Sequence, residues 1–168
     1  MVEKIVLPNG VRVLHERLDQ VRSCAIGVWV ENGSCHEPEE LSGISHFIEH
    51  MLFKGTETRT AGDLARAFDA LGGQVNAFTT KEHTCFYART LDTHVQQAAE
   101  LLQDMVLHSA FRPQDVELER GVILEEIGMY EDSPEDLVAE VLSGACYPGA
   151  LGRPILGPAQ TLRGSDAA

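Results

Sequence analysis

The stretch that decides the fold of this chain runs His46-Phe47-Ile48-Glu49-His50. Residues four apart on an α-helix are neighbours on one face, so the rings of His46 and His50 can point at a single ion. Glu49 lies three residues after His46 and stays within reach of a water molecule beside that ion. The spacing therefore predicts a metal site that carries its own base.

The residues around this motif favour the helix that the site requires. Apolar residues between Leu41 and Lys54 recur at spacings of three and four, which predicts one buried stripe made of Ile44, Phe47, Ile48, Met51 and Leu52. Ser42 is the expected cap of the first turn, and Gly55 follows the last turn. The alternative is a helix whose histidines pack near the core without a metal. This alternative has less support, because two histidines at this spacing with a glutamate between them match a zinc motif. The order H-x-x-E-H is the inverse of the zinc motif H-E-x-x-H and has the same division of roles.

Zinc suits this set of donors, but two histidines need a third ligand. Hydrolytic zinc sites use three protein ligands and leave a fourth position for water. The stretch from Pro113 to Asp132 is predicted to be a helix, and the glutamates considered in it are Glu117, Glu119, Glu125 and Glu126. Composition alone does not choose among them. Glu119 and Glu126 are seven residues apart and lie nearly in line on one face, whereas Glu125 is predicted to face solvent.

Three segments of the chain are in register with one family pattern. They are His46-Phe47-Ile48-Glu49-His50-Met51-Leu52-Phe53-Lys54-Gly55-Thr56, Gly73-Gln74-Val75-Asn76-Ala77-Phe78-Thr79 and Glu119-Arg120-Gly121-Val122-Ile123-Leu124-Glu125-Glu126. Together they resemble the inverted-zincin metallopeptidases of the pitrilysin and insulinase family, and most of all its processing-peptidase branch. The resemblance implies that His46, His50 and Glu126 bind zinc and that Glu49 is the general base. It also implies that Glu119 occupies a second acidic position that supports catalysis.

The resemblance further implies a substrate strand and a larger assembly. Asn76, Ala77 and Phe78 match the edge strand on which family members lay an extended peptide substrate. Full-length family chains continue into a second, similar half that closes a chamber over the zinc site. The expected partners are therefore a peptide and either the missing C-terminal half or a homologous subunit, with a homo-oligomer as a further option.

The carboxyl end of the chain favours a truncated protein. Residues from Leu156 to Gly164 are predicted to form a loop, and Ser165-Asp166-Ala167-Ala168 looks like the cap and first turn of a helix whose body is missing. Residues 1–168 are thus expected to be a single N-terminal zinc-metallopeptidase domain, cut before the rest of the enzyme.

Composition excludes several classes of protein. With 168 residues, of which 43% are hydrophobic, the chain is long enough for one sizeable core and too short for two full domains. A net charge of −13 argues against a nucleic-acid partner, since phosphate binding needs clustered Lys and Arg. No apolar run reaches the roughly 18 residues of a membrane span, and the start is too polar for a secretory signal. Four scattered cysteines without a C-x-x-C pair indicate reduced thiols, so a cytoplasmic location is expected.

The order of the predicted elements indicates the α+β class. The strands are expected at Glu3 to Leu7, Val11 to Arg17, Cys24 to Val30, Gln74 to Thr79 and Thr84 to Leu91, with Cys24 to Val30 as a central strand. Helices are expected at Leu41 to Lys54, Ala61 to Leu71, Thr93 to Leu107, Pro113 to Asp132 and Ser133 to Cys146. This order favours an antiparallel or mixed sheet with helices packed on one face and the metal-binding helix pair against the sheet.

Three functions are compatible with these patterns. The leading one is a zinc-dependent endopeptidase that hydrolyses extended peptides or unfolded segments, with Glu49 moving the proton. The alternative is a non-catalytic family homologue that acts as a scaffold or partner subunit, although the motif of such homologues is typically degraded and here it is intact. A simple metal-binding or structural domain is the third, and it would not need Glu49.

Overall fold

A computed structural model describes residues 1–164 of the chain. Its strands are β1 (Val2–Val6), β2 (Arg12–Glu16), β3 (Ser23–Val30), β4 (Gln74–Thr79) and β5 (Thr84–Leu91). Its α-helices are α1 (Ile44–Leu52), α2 (Ala61–Ala70), α3 (Val95–Leu107), α4 (Pro113–Asp132), α5 (Pro134–Cys146) and α6 (Ala159–Gly164). The strands form two antiparallel sheets, one of order β1-β2 and one of order β3-β5-β4, and helices cover one face of the larger sheet. The predicted α+β class is confirmed.

The strand at the centre of the larger sheet is β5, which pairs with β3 on one side and with β4 on the other. The prediction that Cys24 to Val30 is central is wrong, because β3 lies at an edge. Its apolar content is misleading, since helices cover only one face of the sheet and Trp29, on the other face, is 61% exposed. The β1-β2 hairpin forms a second sheet, and all ten residues of its two strands are exposed.

The start of α1 differs from the prediction that Ser42 caps it. The carboxylate of Glu37 accepts hydrogen bonds from the backbone N–H groups of Gly43 and Ser45, both at 2.7 Å. The Ser42 hydroxyl makes no cap hydrogen bond. Gly43 has a φ of 98°, and a Cβ there would lie 2.3 Å from the carbonyl oxygen of Leu156. Glycine is therefore required where the chain turns into α1.

Helix α1 packs between two apolar cores. The first core joins α1, α2, α3 and β5 through Leu52, Leu64, Phe68, Phe86, Ala88, Ala98, Leu101, Leu102 and Met105. The second joins α1, α4 and α6 through Phe47, Met51, Val116, Ile123, Ile127 and Leu162. The predicted stripe of α1 is thus split between both cores, except for Ile48, which is 40% exposed. This double packing fixes the face of α1 that carries the histidines.

The last part of the described chain is more helical than predicted. Residues 159–164 form α6 rather than a loop, and the Thr161 hydroxyl donates to the carbonyl of Ser42 at 2.7 Å. Burial of Leu162 in the second core offsets the weak helix signal of so short a segment. Helix α5 has no buried residue. The predicted helix start at Ser165 to Ala168 lies outside the described residues. Within residues 1–164, no helix combines the length and the apolar content that a membrane span requires.

Candidate metal centre

Helix α1 presents both histidines on one face. His46 is buried and His50 is half-buried, and their ring centroids are 4.5 Å apart. The Nε2 atom of His46 lies 3.9 Å from Oε1 of Glu126, and the Nε2 atom of His50 lies 3.6 Å from Oε2 of the same carboxylate. Helix α4 therefore brings the predicted third ligand to the pair that α1 supplies.

These three side chains can hold one metal ion. One ligand atom from each of His46, His50 and Glu126 lies within 4.8 Å of the other two. Two ligands of a tetrahedral zinc ion, at about 2.0–2.1 Å from the metal, are themselves about 3.4 Å apart. The two nitrogen–oxygen distances found here, 3.9 and 3.6 Å, are close to that value. Two imidazoles and a carboxylate are also the donor types of hydrolytic zinc sites, so the residues fit zinc.

The pKa of His46 is lowered to about 4, first by burial and then by the nearby His50 ring. His46 is therefore neutral near pH 7, and neutral imidazole is the form that binds a metal. Its Nδ1 atom is buried and has no hydrogen-bond partner among residues 1–164. The Nε2 atom of His46, which lies on the side of Glu126, is therefore the nitrogen that can bind a metal ion.

Glu119 contacts the ring of His50 at Nδ1, the nitrogen that faces away from Glu126. Its Oε1 lies 2.8 Å from Nδ1 of His50, and its Oε2 lies 2.5 Å from the ammonium of Lys54. Paired with Lys54, the carboxylate accepts a hydrogen bond, so Nδ1 of His50 donates and its Nε2 lone pair points to Glu126. Such carboxylate–histidine pairs fix the tautomer and the ring orientation of metal ligands. Glu119 is only 4% exposed, so this contact is shielded from water.

Glu49 is half-buried beside the proposed ligands and makes no ion pair with them. Its Oε2 accepts a hydrogen bond from the Thr79 hydroxyl at 2.5 Å. Burial is the largest effect on the pKa of Glu49 and raises it. The Thr79 bond and His50 oppose that effect, but the net direction is upward. A raised pKa brings a carboxyl group closer to the range in which it can both take and return a proton.

Strand β4 holds the residues predicted to bind substrate. It is an edge of the larger sheet, and Asn76, Ala77 and Phe78 lie in its middle. The side chain of Asn76 accepts from the backbone N–H of Ala77 at 2.9 Å. Phe78 packs edge-on against Trp29 on the face of the sheet away from the helices. The far end of the strand reaches the metal centre through Thr79 and Glu49.

Three side chains of this site were missed in the sequence. Lys54 could have been found, because it is four residues after His50 and so shares its face of α1. Thr79 follows the predicted substrate residues directly, but no spacing rule links it to Glu49, 30 positions away. Glu37 reaches the start of α1 across a turn that contains Pro38, and nothing local indicates that approach.

Comparison with known proteins decides the family. The family described as Insulinase (Peptidase family M16) matches residues 12–159. The chain belongs to this peptidase family. The resemblance seen in the three sequence segments is thus confirmed, and the M16 match spans all elements from β2 to α5.

Relatives in the M16 family are named as proteases. The chain is 52% identical to an uncharacterized zinc protease, YmxG, of Bacillus subtilis (strain 168), over 96% of this chain and 40% of that protein. It is 40% identical to a probable mitochondrial-processing peptidase subunit beta of Arabidopsis thaliana, over 94% of this chain and 30% of that protein. The chain thus spans well under half the length of these relatives.

Solved structures agree with the fold. A protease from Helicobacter pylori superposes with a TM-score of 0.94 at 23% identity, over 99% of this chain and 41% of that one. An inactive M16 domain from Pseudomonas fluorescens superposes with a TM-score of 0.91 at 17% identity, over 99% of this chain and 41% of that one. At these identities the likeness concerns the fold alone.

Proposed function

We propose that this chain is the zinc-bearing part of an endopeptidase that hydrolyses extended peptides or unfolded protein segments. One observation carries the proposal: the ligand atoms of His46, His50 and Glu126 lie within 4.8 Å of one another, and Glu49 stands next to them without joining them. The zinc protease names of close relatives support the choice of metal.

His46, His50 and Glu126 would hold the ion, and Glu119 would orient His50. A zinc ion held there would supply Lewis-acid chemistry, which lowers the pKa of a water molecule and polarises a carbonyl group. Glu49 accepts a proton from the attacking water at its carboxylate and returns it to the nitrogen of the leaving amine. The upward shift in the pKa of Glu49 suits both transfers.

The free edge of β4 would hold the substrate. An extended peptide can add to an exposed strand edge through backbone hydrogen bonds, which are largely independent of sequence. Asn76, Ala77 and Phe78 would lie alongside that peptide. The contact between Thr79 and Glu49 would place the backbone of the peptide near the base. This arrangement favours unfolded or extended substrates, because most backbone groups of a folded protein are already hydrogen-bonded within its own helices and sheets.

The chain would act within a longer polypeptide. It covers 40% of the YmxG relative, and a second half or a homologous subunit would close over β4. A non-catalytic role as scaffold or partner subunit is the alternative. The intact motif argues against it, since a scaffold does not need the buried support of Glu119 or an unligated Glu49.

The test is Glu49→Gln in the complete polypeptide that contains this chain. The substitution keeps the size of the side chain and removes the base. We expect unchanged zinc content and a loss of peptide cleavage of about 10² to 10⁴ fold, the range for a general base. Zinc is measured by elemental analysis and cleavage with a quenched fluorescent peptide. Wild-type turnover in the zinc-loaded variant would refute the mechanism, and loss of zinc would make Glu49 a ligand.

A further inference from the structure

The hydroxyl of Thr79 is bonded to the carboxylate proposed as the general base. Thr79 ends β4 and is half-buried, and its Oγ1 donates to Oε2 of Glu49 at 2.5 Å. Within residues 1–164 this is the one hydrogen bond found for the Glu49 carboxylate. A hydroxyl that donates to an ionised carboxylate makes a charge-assisted hydrogen bond, which is stronger than one between neutral groups.

Neighbouring groups direct the proton of Thr79 toward Glu49. Thr84 faces Thr79 across the β4–β5 ladder, with 3.5 Å between the two hydroxyl oxygens. The hydroxyl of Thr84 donates to the carbonyl of Asn32 at 3.0 Å, so it has no proton left to give. A carboxylate at 2.5 Å is also a stronger acceptor than a hydroxyl at 3.5 Å. The Thr79 hydroxyl therefore holds Oε2 of Glu49 and leaves Oε1 without a protein donor in the described chain.

We infer that Thr79 is a positioning residue that fixes the orientation of Glu49 relative to a peptide bound on β4. The inference rests on the proposed role of Glu49 as base. Threonine is β-branched and stiff at χ1, so its hydroxyl is well suited to hold a second side chain in place. Thr79 lies on the same strand as Asn76 to Phe78, so β4 carries both the residues proposed to hold the peptide and the hydroxyl that holds Glu49 of α1.

A direct link of this kind matters because proton transfer depends on position. A displacement of about 1 Å at a reacting group can lower the rate by about 100-fold. No hydrogen bond found in residues 1–164 joins the Thr79 hydroxyl to His46, His50 or Glu126. Removing the hydroxyl should therefore change the chemical step and leave metal binding intact.

The experiment compares Thr79→Val, which is isosteric and lacks the hydroxyl, with Thr79→Ser, which keeps it. Both are made in the complete polypeptide, with zinc content, kcat and KM measured for one peptide. We expect Thr79→Val to keep its zinc and to lose about 10- to 100-fold in kcat with little change in KM. Thr79→Ser should recover most of that loss. Wild-type kcat in Thr79→Val, or a Thr79→Ser variant as slow as Thr79→Val, would overturn the inference.

Two further measurements separate positioning from general damage. Thr90→Val removes the hydroxyl of a buried threonine on β5, and it should leave kcat near the wild-type value.

In the Glu49→Gln background, Thr79→Val should lower the residual kcat no further, because a residue that acts through Glu49 has no effect once the base is gone. A full additional loss in the double variant would refute positioning through Glu49. If Glu49→Gln alone keeps wild-type turnover, the proposed function fails, and this outcome is distinct from failure of Thr79 alone. Thr79→Ala replaces Thr79→Val in the cycle should the latter not fold.

Discussion

Two adjacent glutamates on α4 meet different surroundings. The carboxylate of Glu126 lies within 4 Å of both histidine Nε2 atoms, whereas Glu125 is exposed. We expect Glu126→Gln to weaken zinc binding by about 100-fold or more, because an amide replaces the charged ligand. Glu125→Gln is the matched control and should bind zinc like the wild type. Competition titration with a zinc chelator gives both affinities.

The reverse outcome, in which Glu125→Gln loses zinc and Glu126→Gln keeps it, would show that the helix register assigned to α4 is wrong. Wild-type zinc affinity in both variants would show that Glu126 is not a ligand. The third ligand beside the two histidines would then have to be another residue.

At the residue scale, the sequence predicts what is local. His46, Glu49 and His50 lie within one turn and a half of α1, so their shared face follows from helical spacing alone. Glu126 could be ranked above Glu125 only with the help of apolar neighbours and the family resemblance. The contact between Thr79 and Glu49 depends on how β4 packs against α1. The number of residues between the two positions in the sequence does not predict that packing.

At the level of the element, the start of α1 depends on Glu37. This buried carboxylate accepts two backbone N–H groups that would otherwise lack partners at the helix terminus. Glu37→Gln leaves one of these donors facing an amide NH₂ group, so we expect a loss of about 2 kcal/mol in the free energy of unfolding. Chemical denaturation measures it, and hydrogen exchange should show faster exchange at the Gly43 and Ser45 amides.

Glu40→Gln is the control for this prediction, since Glu40 is exposed in the same segment and should change stability little. Equal stability of Glu37→Gln and the wild type would mean that water satisfies the start of α1 as well as the carboxylate does.

Helix caps show why some elements were predicted and others were not. Thr60 is a favoured cap residue directly before α2, and its hydroxyl accepts from the N–H of Asp63, three residues away. Ser42 has the right residue type for α1 but is displaced by Glu37, which is brought in by tertiary structure. Helix α6 was likewise missed because its stability comes from Leu162 in the second core rather than from its own sequence.

At the scale of the whole molecule, α5 exposes a group of apolar side chains. Leu137, Val138, Val141 and Leu142 are all exposed on this helix. We expect the isolated 168 residues to bind zinc, to self-associate through such surfaces, and to cleave peptides at least about 100-fold more slowly than the complete polypeptide. An open site admits water, which weakens every electrostatic interaction in it and leaves the peptide poorly aligned.

The comparison uses the isolated chain, the complete polypeptide, and the isolated chain mixed with the separately expressed remainder. Sedimentation reports association, and one peptide assay reports activity. Full activity from a monomeric isolated chain would show that the site is complete without a second half.

The double packing of α1 limits how this protein can diverge. Its nine residues serve the first core, the second core and the chemistry at once, so a change at Phe47 or Met51 would move the histidines even though neither side chain faces them. Ile48, at 40% exposure, belongs to neither core. Substitutions that change substrate preference are therefore expected on β4 and on the surface that faces β4, and few substitutions are expected in α1.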